Sequence, residues 1–127
     1  MVTSPWRSIA APADREYLAL ISFLPLRRYR TIPSFLRRSG AIGRQLEESP
    51  GLVGFSLRAK PLSKGFYTLS VWEDEKSLME FVRRGVHRET MRALGPRMGE
   101  TRFVRWTVRG PEVPPAWEEA LRRLRGG

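Results

Sequence analysis

The sequence predicts one small α+β domain of the split β-α-β kind, and three observations predict it. Four segments of strand length run or alternate apolar, two stretches repeat apolar residues at helical spacing, and turn residues separate them in the order β-α-β-β-α-β. Length agrees, since 127 residues suit a single core.

Residues 1–15 hold Pro5, Pro12 and small residues without periodicity, and read as a loose N-terminal arm. The domain proper spans residues 16–110. Tyr17 to Leu24 is apolar on both alternating faces, as in a strand buried on two sides, and Pro25 ends it. Pro33 suits a first helical turn, after which Phe35, Ser39, Ile42 and Leu46 recur on one face while Arg37, Arg38 and Arg44 point elsewhere. Ser49-Pro50-Gly51 closes that helix. Leu52 to Ala59 is the second strand, with Val53, Phe55, Leu57 and Ala59 on one face; a turn over residues 61–65 leads to the third, Phe66 to Trp72. Asp74 is placed as an N-cap before the stripe Leu78, Phe81, Val82. Gly85 breaks or kinks the helix, which resumes over 86–94 and stops at Gly95-Pro96. Thr101 to Arg109 is the fourth strand, and residues 111–127 form a helical C-terminal extension after Pro114-Pro115.

This order is the ferredoxin-like arrangement, in which one sheet face takes both helices. All four strands carry apolar residues on the other face as well. A monomer would leave that face wet, so the expectation is a homodimer in which a second copy covers it.

Composition narrows the function classes. There is no cysteine, which excludes disulfides, thiol nucleophiles and thiolate metal sites. The only histidine is His87 and no carboxylate pair stands at metal spacing, which argues against zinc or di-iron centres. The longest apolar stretch, 17–26, is far short of the roughly 20 residues a membrane span needs, and the N-terminus does not read as a secretory signal; the expected home is the cytoplasm, with no membrane partner. The net charge is +10 and 20 of the 23 cations are arginine, so polyanions are attracted at long range. The nearest thing to a patch is Arg27, Arg28, Arg30, Arg37, Arg38 and Arg44, with no acid between them; its plainest reading is a solvated helix face.

A few residues carry chemistry. His87 has Met91 and Leu94 at i+4 and i+7, which suits either a hydrogen-bonded histidine at a helix margin or a general base or iron ligand in an apolar pocket. Trp72 and Trp106 close strands, where they serve the core or wall a cavity for a flat ligand; Trp6 and Trp117 sit in terminal segments. Lys64-Gly65-Phe66-Tyr67-Thr68-Leu69-Ser70-Val71 resembles the RNP1 segment of RNA-recognition motifs, which stacks bases on two rings. Phe66 would be the first ring, but Thr68 occupies the place of the second, so no specific nucleic acid is expected.

A second resemblance covers roughly residues 17–109. Leu20-Ile21-Ser22-Phe23, Glu48-Ser49-Pro50-Gly51-Leu52 and Tyr67-Thr68-Leu69-Ser70-Val71-Trp72-Glu73-Asp74 resemble the antibiotic-biosynthesis-monooxygenase superfamily. The run Phe81, Gly85, His87, Met91, Arg92, followed by Thr101-Arg102-Phe103, is similar to its spheroidene-monooxygenase-like branch. The resemblance implies a dimeric α+β barrel and a monooxygenase-like protein that acts on or holds a hydrophobic aromatic, polyene or porphyrin ligand. Members work either without a cofactor or with haem. His87 would then be the base, or the metal ligand if haem is bound; Trp72, Met91 and Phe35 would shape the pocket, and Arg58 or Arg105 would meet an anionic group. A different class remains open beside it, a non-enzymatic basic module for RNA or a small-ligand sensor.

Overall fold

The computed structural model describes residues 2–60, 64–83, 85–97, 99 and 101–126, and the side chains of all of these except Val2 and residues 85–87. In chain order the elements are β1 (Val2–Thr3), β2 (Arg7–Ser8), β3 (Glu16–Pro25), α1 (Ile32–Glu47), β4 (Leu52–Lys60), β5 (Gly65–Trp72), α2 (Glu75–Arg83), α3 (Gly85–Leu94), β6 (Arg102–Arg109) and α4 (Trp117–Gly126). The sheet runs β1-β4-β5-β3-β6, with β2 also paired to β4 and every pairing antiparallel. Its four long strands stand in the ferredoxin-like order, and the α+β fold class read from the sequence holds.

Local chemistry sets the joints. Pro33 lies in the first turn of α1, where its missing N–H costs nothing. Gly51 turns the chain into β4 at a φ of 84°, a region in which a Cβ is strained. The Asp74 carboxylate accepts from the Ser77 amide at 2.8 Å and so caps α2. That backbone hydrogen bond holds the Asp74 carboxyl below the usual carboxylate range. The turn expected at 61–65 falls on residues 61–63, outside the described residues, and on Lys64, whose φ is 59°.

Three features differ from the sequence reading. Residues 1–15 are not a loose arm. Thr3 pairs with Arg58, Arg7 with Phe55, and Ser4 exchanges backbone and side-chain hydrogen bonds with Leu57. Short strands of two residues leave no periodic signal, so their partner, the edge of β4, determines them. Val53 does not share a face with Phe55 and Leu57. A register shift between Leu52 and Gly54 makes Val53 the extra residue of a β-bulge, which turns it to the opposite face. Beside it Gly54 is required, since a Cβ there would lie 2.6 Å from the Trp6 indole.

The third difference concerns the second sheet face. Tyr17, Ala19 and Ile21 of β3, Leu69 and Val71 of β5, and Trp106 and Val108 of β6 form one buried cluster with Ala120 and Leu124 of α4. Trp6, Val113 and Trp117 pack against its margin. The Trp117 indole N–H donates to Ser56 Oγ at 3.3 Å, and Ser56 Oγ donates to the Ser4 carbonyl at 2.7 Å. Arg102 donates to the Leu124 carbonyl at the other end of α4. The apolar second face therefore has an occupant within the chain, α4. The helix was legible, but the faces it joins were not.

Candidate functional site

The helix-covered face of the sheet carries two apolar clusters. In one, Leu46 of α1 and Leu78 and Phe81 of α2 pack on Leu52, Phe55 and Trp72. In the other, Phe35 of α1 and Leu94 of α3 pack on Leu26 and Phe66, with Met91 against them. Between these clusters the sheet presents a polar row. Ser22 of β3 stands opposite Thr68 of β5, both half-buried, and belongs to neither cluster. In the next row Ser70 is buried and accepts from the Trp72 indole N–H at 3.0 Å. α3 contributes Thr90, only 2% exposed, whose hydroxyl has no hydrogen-bond partner among the described residues. A buried hydroxyl without a partner costs about 1–3 kcal/mol, so this helix carries a polar group that packing alone does not require.

The residues singled out from sequence distribute as follows. Phe35 and Met91 come together, and the Phe35 ring lies 4.3 Å from that of Phe66. Trp72 is on the same sheet face but in the other cluster, 1% exposed, with its ring 5.4 Å from Phe81. Arg105 sits at the rim, in a 2.6 Å ion pair with Glu75 that is solvent-exposed and contributes little. Arg58 is on the opposite face, its guanidinium 4.6 Å over the Trp117 ring and donating to Thr3 Oγ1. Arg58 and Arg105 thus do not share a site. His87 is in α3, one turn before Met91; its side chain lies outside the described residues. Ser22, Thr68, Ser70 and Thr90 had a signal in the sequence, since each interrupts an otherwise apolar face.

Two chemistries are weighed against this geometry. Base stacking through the RNP1-like segment needs a bare ring, whereas Phe66 is buried against Phe35. A porphyrin needs a slot between apolar side chains. Among the described residues Phe35, Phe66 and Leu94 fill one buried cluster, so no slot for haem stands open between them. Among the described residues no group of three or more His, Cys, Asp or Glu stands together as metal ligands. No described helix is long and apolar enough to cross a membrane.

Comparison with known proteins bears on the fold. SnoaB, a cofactor-independent oxygenase from Streptomyces nogalater whose structure is that of a point mutant, matches at a TM-score of 0.61 and 16% identity, over 82% of this chain and 100% of that one. A structure described as an antibiotic biosynthesis monooxygenase matches at 0.64 and 12%, over 70% and 95%. A conserved protein from Methanosarcina mazei Go1 matches at 0.63 and 14%, over 71% and 90%. No curated protein matches the chain. The fold is thus that of antibiotic-biosynthesis-monooxygenase-like proteins, and with residues 33–126 matched by its model the chain belongs to the family described as domain of unknown function DUF3291.

Proposed function

We propose that the chain binds a flat, hydrophobic hydroxyarene between α3 and the Ser22–Thr68 row and oxidises it as a cofactor-independent monooxygenase. The observation that carries the reading is the half-buried hydroxyl pair of Ser22 and Thr68, set between two aromatic-bearing clusters on the helix-covered face, with a further buried hydroxyl, Thr90, on α3. Apolar walls with a few placed polar groups are how small-molecule sites fix orientation. The fold shared with a cofactor-independent oxygenase adds support. So does the likeness of Phe81, Gly85, His87, Met91 and Arg92 to the spheroidene-monooxygenase-like motif.

In this reading Met91 and Phe35 contact the ring system, and Thr68 and Thr90 hydrogen-bond its oxygens. His87 is the general base that removes the hydroxyl proton, leaving an electron-rich anion. Dioxygen is the oxidant. Counted from the keto tautomer, whose ring CH₂ supplies the hydroxyl proton, the substrate loses two hydrogens, one of them by way of His87, and gains one oxygen as a carbonyl, while the second oxygen leaves with those hydrogens as water.

The test is oxygen uptake with anthrone as probe, together with fluorescence-quench binding of the same compound. Wild type should bind and consume oxygen; His87→Ala should bind and turn over about 10²–10⁴-fold more slowly. Binding without oxygen uptake in either protein would leave a small-ligand sensor. A Soret band on haem addition that is lost in His87→Ala would replace this reading with the haem one.

A further inference from the structure

At the opposite end of β3 from its start, the chain makes a tight corner whose backbone is fully tied. The Leu26 amide donates to the Lys64 carbonyl at 2.9 Å, Arg27 to the Arg97 carbonyl at 3.0 Å and Gly99 to the Pro25 carbonyl at 2.9 Å. Leu26 itself is 3% exposed, anchored in the cluster of Phe35, Phe66 and Leu94. The corner is therefore held on both sides.

It encloses a cleft of about 290 Å³ lined by Arg27, Arg28, Arg30, Thr31, Pro96 and Arg97. Four of these six residues are arginines and none is acidic. The sequence shows why no carboxylate intrudes from this stretch, since no Asp or Glu occurs between Glu16 and Glu47. Among the described residues Arg28, Arg30 and Arg97 make no ion pair. Arg28, Arg30 and Arg97 are exposed, so their guanidinium groups can reach an anion that enters the cleft.

Two further observations point the same way. α1 begins at this cleft, directly after a 3₁₀ turn over Tyr29–Thr31, and carries no acid in its first turn. Thr31, at the N-cap position, is 6% exposed yet its hydroxyl caps no backbone amide. The φ of −82° and ψ of −16° at Thr31 are helical, so the chain runs through it in a continuous turn. Thr31 lines the cleft.

We infer that this cleft is a binding site for the phosphate group of a small phosphorylated molecule. Guanidinium forks from Arg28, Arg30 and Arg97 match tetrahedral oxyanions bidentately, and the Thr31 hydroxyl supplies a neutral donor at the cleft wall. The site is separate from the Ser22–Thr68 row and does not depend on its chemistry. It gathers part of the arginine run that composition alone assigned to a solvated face.

The experiment is calorimetric titration of the full chain with pyrophosphate at fixed ionic strength, chloride as the balancing anion. Saturable one-to-one binding is expected in wild type. Arg28→Gln/Arg97→Gln should weaken it at least about tenfold, since hydrogen bonds to charged groups are worth roughly 1.5–3 kcal/mol. Thr31→Val should weaken it less. Arg122→Gln, an exposed cation on α4, should leave it unchanged. Equal weakening by Arg122→Gln, or heat that never saturates, would reduce the effect to general charge and overturn the site. So would a single-stranded oligonucleotide that binds more tightly than pyrophosphate and is indifferent to Arg28→Gln/Arg97→Gln. Melting curves of all variants confirm that folded protein is compared.

Discussion

Leu124→Ala tests whether α4 belongs to the core of its own chain. Leu124 is 5% exposed and packed in the cluster with Tyr17, Ile21, Trp106 and Val108. The substitution removes three carbon groups, worth roughly 0.8 kcal/mol each in transfer, or about 2.4 kcal/mol together. An added cavity term brings the expected loss to about 3 kcal/mol, inside the range of roughly 2–5 for buried Leu→Ala changes. Because a domain is stable by only about 5–15 kcal/mol, this is a large fraction, and the melting temperature should fall by about 10 °C. Urea unfolding followed by tryptophan fluorescence reads it directly, and Arg122→Ala on the exposed side should stay within about 0.5 kcal/mol of wild type. A Leu124→Ala loss below about 1 kcal/mol would refute the packing of α4 on the sheet.

Other outcomes follow from single contacts. Gly54→Ala should destabilise and raise the accessibility of Trp6 to acrylamide quenching, because the new methyl meets the indole at 2.6 Å. Thr90→Val should raise the melting temperature by removing an unpartnered buried hydroxyl, and should weaken anthrone binding if that hydroxyl faces the ligand. For Asp74 the folded pKa lies below the usual 3.8, so its contribution is present above that value and is lost as pH falls through the folded pKa. Asp74→Asn should therefore flatten the acid limb of the stability–pH curve while leaving its neutral and alkaline parts parallel to wild type.

The elements were legible because their signals are local. Pro33, Asp74, Gly85 and the alternation from Arg102 to Arg109 each mark a boundary within one turn or strand. What was not legible depends on pairing across the chain. The strands at Thr3 and Arg7 exist through β4, and the face of Val53 is decided by one extra residue in the register with β5. The candidate site divided in the same way. Phe35 and Met91 met as expected from helical spacing, but Arg58 and Arg105 diverged, because the parity of a strand residue is not fixed until its register is known. Ser22, Thr68 and Ser70 were visible as interruptions in apolar strands, yet only the sheet shows that they stand side by side.

The hydroxyl of Ser56, in mid-chain, joins both ends of the polypeptide, giving its proton to Ser4 and receiving one from Trp117. One small side chain thus links segments that are far apart in sequence. Opening either end removes a partner that holds the other, so the two ends should exchange amide hydrogens as a single cooperative unit rather than fray separately. The two contacts span 52 and 61 residues, which places both after the strands of the central hairpin have formed.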